Sequence, residues 1–196
     1  MKGYIYISGS GTDPNARGNM NDPILFSRTP TLGACMPNIR RMVLPGDFLF
    51  VVSGKVPAVQ QYVVGGMEVV ERIDALAAYR RFPENRLQAG PNGLVEGNVI
   101  IDAEGNQHPL DTHKRDTFEE RIKNFIVGTN PVALESDREV AMGRDQTLPK
   151  LSELIGKNGN RVFDVMGRCA KLNETQVKDM LSWLQGIKAS AAFARS

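Results

Sequence analysis

The sequence predicts an α+β fold, a small curved or barrel-like mixed β-sheet with peripheral helices and a C-terminal helix. Three observations carry that expectation. Short β-rich runs crowd the first half of the chain. They do not alternate regularly with long helices, as a doubly wound parallel sheet requires. The clearest helical periodicity comes last, where Val177, Met180, Leu181, Leu184 and Ile187 recur at helical spacing.

In chain order, Gly3–Ile7 reads as the first strand. Ser8–Asp22, rich in Gly, Ser, Asn, Asp and Pro, reads as a long exposed loop. A short helix opens at Pro37, where the missing N–H costs nothing, and continues through Ile39–Met42. Pro45-Gly46-Asp47 is a turn, and Phe48–Ser53 and Tyr62–Ile73 are apolar strands. Asp74 caps a helix running to Arg81. Residues 83–98 read as loop, Asn98–Asp102 as a strand, and Ala103–Asn106 as a hairpin turn. Thr117–Ile126 is expected to be an amphipathic helix, Pro131–Met142 one or two strands, Leu148–Ile155 a helix and Arg161–Gly167 a strand. Asn173 and Gln176 have the spacing of a capping box for the last helix. Residues 189–196 are expected to fray.

Length and composition fit one domain over residues 1–196. The 196 residues are 41% hydrophobic and 23% charged, a globular balance. Cys35 and Cys169 stand far apart without nearby ligand partners, which argues against a zinc knuckle or a disulfide framework and for a reducing, cytoplasmic setting. No stretch approaches the ~20 apolar residues of a membrane helix. The net charge of +2 is unevenly spread. Residues 1–90 hold ten Lys/Arg against seven Asp/Glu, 91–145 six against eleven, and 146–196 eight against four. The weakly basic ends can build one basic face, or simply reflect scattered surface charge.

No complete catalytic constellation appears, and no cofactor or metal is implied. Ser8-Gly9-Ser10-Gly11 invites a phosphate-loop reading, but Pro14 stands where the dinucleotide fingerprint needs glycine, and no Gly-Lys-Ser/Thr follows. His108, Asp111 and His113 lack helical ligand spacing and read as a solvated loop. Cys35 precedes Arg40 and Arg41, yet a buried structural thiol is the commoner outcome. Arg40-Arg41 is the most suggestive charged feature, because the planar guanidinium donates paired hydrogen bonds to phosphate. The alternative pairs one of them with Asp47 or Glu68. Arg81 and Phe82 repeat the theme with a ring for base stacking. Tyr4 and Tyr6 share one face of the first strand, either stacking a base or packing under a helix.

Thr29–Gly54 carries a further signal. Thr31-Leu32-Gly33-Ala34-Cys35, Pro37-Asn38-Ile39-Arg40-Arg41, Gly46-Asp47 and Ser53-Gly54 follow one another as in the hallmark segment of the nucleotide modification-associated domain 2 family, which the chain resembles. Tyr79-Arg80-Arg81-Phe82 continues the likeness, so residues 1–82 are its most specific part. Phe48 replaces a frequent Trp, and Cys169-Ala170 replaces an expected Gly-His. More distantly, the Gly-Asp strand and the Val63–Val70 strand are similar to PUA-like and EVE domains. Those resemblances imply a PUA-like barrel and a module that recognises a modified base in nucleic acid or nucleotide, linked to DNA or RNA modification or to phage or bacterial defence systems. Tyr6, Thr31, Ser53, Arg40 and Arg41 are the right residue types for such a pocket, and with Tyr4, Arg81 and Phe82 they are the expected base- and phosphate-binding residues. An enzyme acting on nucleotides or bases, using Asp47 or Cys35, is the second reading. A structural partner in a phage or defence complex is the third. The oligomeric state is not legible.

Overall fold

The computed structural model describes residues 1–90 and 93–193. Its elements, in chain order, begin with β1 (Gly3–Ile7), α1 (Pro14–Arg17), β2 (Thr31–Leu32), α2 (Pro37–Met42), β3 (Phe48–Val52) and β4 (Val63–Ile73). There follow α3 (Ala75–Arg81), β5 (Gln88–Ala89), β6 (Val95–Glu96), α4 (Phe118–Arg121) and β7 (Phe125–Ala133). The chain ends with α5 (Asp137–Ile155), α6 (Val162–Met166), β8 (Cys169–Leu172) and α7 (Glu174–Phe193). The fold is mixed α+β, as expected, with strands in the order β2-β7-β4-β3-β1-β8 and a separate β5-β6 pair. Among the described residues, no helix is long and apolar enough to cross a membrane.

The described chain groups into two compact units. The first comprises Met1–Asn19, Asp47–Met67 and Asn130–Ser196. The second comprises Met20–Gly46 and Glu68–Thr129.

In the first unit β1 runs parallel to β3, with Ile5 opposite Phe50, and antiparallel to β8, with Ile5 opposite Ala170. All five residues of β1 are buried, and so are all five of β3. A strand flanked on both edges and covered on both faces needs no alternation of polar and apolar residues. Helix α7 turns Val177, Met180, Leu184, Ile187 and Ala191 inward. It starts from the expected reciprocal cap: Asn173 N–H donates to Gln176 Oε1 at 2.8 Å, and Gln176 N–H to Asn173 Oδ1 at 3.0 Å. The helix persists through residues expected to fray, and Ala191 is buried; residues 194–196 lie outside the described part.

Three expectations for the second half fail for identifiable reasons. Residues 137–142 are the start of α5, not strand. Ser136 Oγ accepts from Glu139 N–H while Glu139 accepts from the Ser136 N–H, a capping box readable in the sequence. Val162–Met166 is helix, not strand. Its β-branched residues bury against α5, and packing overrides propensity. The helix expected over Thr117–Ile126 is a single turn ending at Arg121, because the carbonyls of Arg121, Lys123 and Asn124 are taken by Arg40 in the second unit.

That second unit centres on Phe82, Phe125, Val99 and Ile101 beneath α3. Asp74 caps α3 as expected, accepting from Ala77 N–H at 2.8 Å. Asn98–Asp102 forms isolated bridges rather than a strand.

The Glu139 carboxylate is pulled in two directions. Burial disfavours its charge, but N–H donors from Glu135 and Ser136 and the Lys188 ammonium outweigh it, and its pKa is lowered. The stability it supplies is present above the ordinary Glu range and is lost as pH falls through the lowered value. Replacing the N-cap in Ser136→Ala is expected to cost about 1 kcal/mol in denaturant unfolding, with an unchanged m-value.

Candidate functional site

The first unit contains a cleft of about 720 Å³. Four chain segments wall it, and each has a local reason for its course. The loop after β1 contributes Ser8 and Ser10, and the loop after β3 contributes Lys55 to Gln61. Arg144, Asp145, Leu148 and Pro149 come from α5. The segment around α6 adds Asn160 to Phe163, and Arg168. Gly167 adopts φ 65° and ψ −153°, a region essentially reserved for glycine, and this turn carries the chain from α6 towards β1, where Ile7 N–H donates to Arg168 C=O at 3.0 Å.

Three of the walls are tied by one ion pair whose carboxylate is buried. Asp13 is 1% exposed and its carboxylate accepts four hydrogen bonds. Asn15 and Ala16 N–H donate at 3.1 and 2.8 Å, capping α1. Both terminal nitrogens of Arg144 donate at 3.0 Å, a bidentate geometry. Arg144 also donates to the Gln60 carbonyl and lies over the Tyr62 ring, 4.6 Å from its centroid. Burial and the Asp13 charge push the Tyr62 hydroxyl well above its ordinary value, with Arg144 opposing, so it stays protonated.

Chemically, the cleft joins three kinds of surface. Ile7, Val56, Val59 and Leu148 are apolar. Phe163 is a large ring 56% exposed to solvent. Gln60 and Asn160 bring side-chain amides that both donate and accept, while Gln61 Nε2 already donates to the Ser53 carbonyl at 2.7 Å. Lys55, Arg144, Arg161 and Arg168 supply four cations against one lining carboxylate, Asp145.

The residues expected around a base are distributed differently. Tyr4 and Tyr6 are 7% and 1% exposed, which removes them as open stacking surfaces; both faces of β1 are covered. Ser53, fully buried, accepts from Tyr62 N–H at 3.1 Å and joins β3 to β4. Thr31 is buried in the second unit, where its hydroxyl accepts from Asn85 and Asn98 amides at 3.2 and 3.0 Å. Arg40 is the clearest correction. It is fully buried, and its five N–H groups donate to the carbonyls of Ala34, Cys35, Arg121, Lys123 and Asn124, so none is left for phosphate. Arg41 is exposed beside Asn38. Arg81 pairs with Glu71 and lies 5.1 Å from the Phe82 centroid. Phe82 is buried and stacks on Phe125 at 6.0 Å, so it does not meet a base.

Two other candidates resolve similarly. Burial, and then the Asp22 carboxylate, push the Cys35 thiol well up, opposite to an activated nucleophile. Asp111 accepts from the Gln107 amide at 2.8 Å and meets His113 Nδ1 at 2.6 Å, a turn network; no metal-holding cluster occurs among the described residues.

Sequence reasoning missed the cleft because its walls lie far apart in the chain. The readable signal was the Gly-rich Ser8–Gly11 loop.

No family model matches the chain, so the likeness of residues 29–82 stays a resemblance, and no curated protein matches it. Among solved structures the chain is similar to human THYN1 protein in complex with 5-methylcytosine-containing DNA. The identity is 12%, the overlap covers 94% of this chain and 98% of that one, and the TM-score is 0.41. A likeness that loose carries no argument about ligand or activity.

Loss of Asp13 tests the frame of the cleft. Asp13→Ala leaves the largely covered Arg144 guanidinium without its carboxylate and removes the α1 cap, and is expected to cost about 3–5 kcal/mol in chemical denaturation. A cost under about 1 kcal/mol in the same measurement would contradict a buried, structure-holding pair.

Proposed function

We propose that the chain is a binding module for nucleic acid or nucleotide carrying a modified base, and that the cleft of the first unit receives that base. One observation supports this best: a single concavity combines apolar walls, an exposed aromatic ring, side-chain amides and several cations. Its volume falls within the ~300–1,000 Å³ range of small-ligand sites. Phe163 offers a stacking face, the Gln60 and Asn160 amides match the mixed donors and acceptors of a base edge, and the cations complement phosphate. The apolar surface of Val56, Val59 and Leu148 suits an added apolar group on the base. The association with modification or defence systems rests on the resemblance of residues 1–82.

The experiment is a titration of plain and modified single-stranded oligonucleotides at low salt. The expected outcome is salt-dependent binding strengthened by base modification. Phe163→Ala is expected to weaken it by ~1–3 kcal/mol without a change in unfolding midpoint. Binding that ignores modification and survives Phe163→Ala unchanged would sink the reading.

A further inference from the structure

The Ser8–Gly11 run fails both glycine-loop patterns in sequence, and the fold explains its glycines otherwise. A Cβ added to Gly54 would lie 1.7 Å from the Gly9 carbonyl oxygen and 3.0 Å from Thr12 N, so the two loops touch backbone to backbone. Gly54 N–H donates to Thr12 C=O at 2.6 Å, and Gly11 N–H donates to Lys55 C=O at 2.9 Å. On the other side, Arg168 donates to the Ser8 carbonyl at 3.1 Å. Ser8, Ser10, Lys55 and Arg168 are therefore framed together at one part of the cleft wall.

The cations of the cleft are not equivalent. Arg144 is bound to Asp13, and Arg161 to Asp164 at 2.6 Å. Those carboxylates cancel much of their charge. Among the described residues, Lys55 and Arg168 have no carboxylate within ion-pair distance, and both are exposed. The uncompensated positive charge of the cleft thus lies beside the Ser8–Gly11 loop, together with two serine side chains. Positive charge with low-dielectric walls concentrates anions there.

We infer that Ser10, Lys55 and Arg168 form a phosphate subsite, which takes the 5′-phosphate of a nucleotide or one phosphodiester of a strand. The inference rests on the base-binding reading of the same cleft and adds the polarity of the ligand: phosphate at the Ser8–Gly11 loop, base towards Val59 and Phe163.

The test titrates the full chain at low salt with 2′-deoxynucleosides, their 5′-monophosphates, inorganic phosphate and a short single-stranded oligonucleotide. The monophosphate is expected to bind about tenfold or more tighter than its nucleoside, as one charge-assisted contact supplies. Lys55→Gln is expected to erase that difference, and to lower the salt slope of oligonucleotide binding by about one phosphate contact. Lys157→Gln, which changes a cation outside the cleft, keeps the difference. Ser10→Ala, at an exposed loop position, gives a second reading that does not depend on charge. Nucleoside and monophosphate binding equally would overturn the phosphate subsite and leave the base reading standing. Tight phosphate-dependent binding that is indifferent to the base would keep the subsite and remove the base reading. No binding of any probe overturns both. Inorganic phosphate competing with the monophosphate supports the subsite. Loss of oligonucleotide binding in Lys55→Gln beyond the loss for the monophosphate identifies a strand, rather than a free nucleotide, as the source of the phosphate.

Discussion

The Asp13 carboxylate lies almost wholly out of water, and Arg144 and the first turn of α1 supply four donors to its two oxygens. A buried carboxylate without such partners would neutralise or force the chain apart. The pair is also the knot where three cleft walls meet. Asp13 ends the loop that follows β1, Arg144 belongs to α5, and the Gln60 carbonyl that Arg144 also holds belongs to the loop after β3. These three walls are tied by this one contact, and the fourth, around α6, is joined to the β1 loop by Arg168 donating to the Ser8 carbonyl. Tyr62, under the Arg144 guanidinium, stiffens the first contact further.

A second constraint acts on the same loop from the opposite side. Backbone contact between Gly9 and Gly54 leaves no room for a side chain at position 54. The rule that glycine-rich loops serve phosphate therefore applies here only indirectly. The glycines allow close packing, and the close packing brings Lys55 and Arg168 to a common place. In the second unit Arg40 plays a comparable part, gathering carbonyls from α4 and from the turn before α2. A guanidinium's planar fork of five donors can be filled by phosphate oxygens or by clustered carbonyls. The sequence signal at Arg40-Arg41 was real, but the partner it pointed to was backbone.

Local chemistry was legible wherever a residue acts on its near neighbours. Asp74 and Asn173 cap the helices their spacing predicts, and β1, β3 and α2 fall where composition places them. Tertiary context defeated the reading elsewhere. Val162–Met166 carries a strand-like composition but buries as a helix, and the Ser136–Glu139 box starts α5 where the composition of residues 137–142 suggests strand. Tyr4 and Tyr6 show why alternation misleads in a central strand, because both faces are covered. Of the cleft, only the Gly-rich Ser8–Gly11 loop is legible in sequence. The cleft's cations come from three separate stretches, and only the fold shows which of them are already neutralised by carboxylates.

On the proposed reading, the cleft of the first unit, and not the Arg40-Arg41 helix, meets the ligand. Backbone amide chemical-shift mapping with a modified-base oligonucleotide tests it most directly. The account predicts shifts concentrated at Ser8–Gly11, Lys55, Gln60, Phe163 and Arg168, with Arg41, Arg81 and Phe82 unmoved. Shifts centred on Arg41 and Arg81, with the Ser8–Gly11 loop silent, would contradict it.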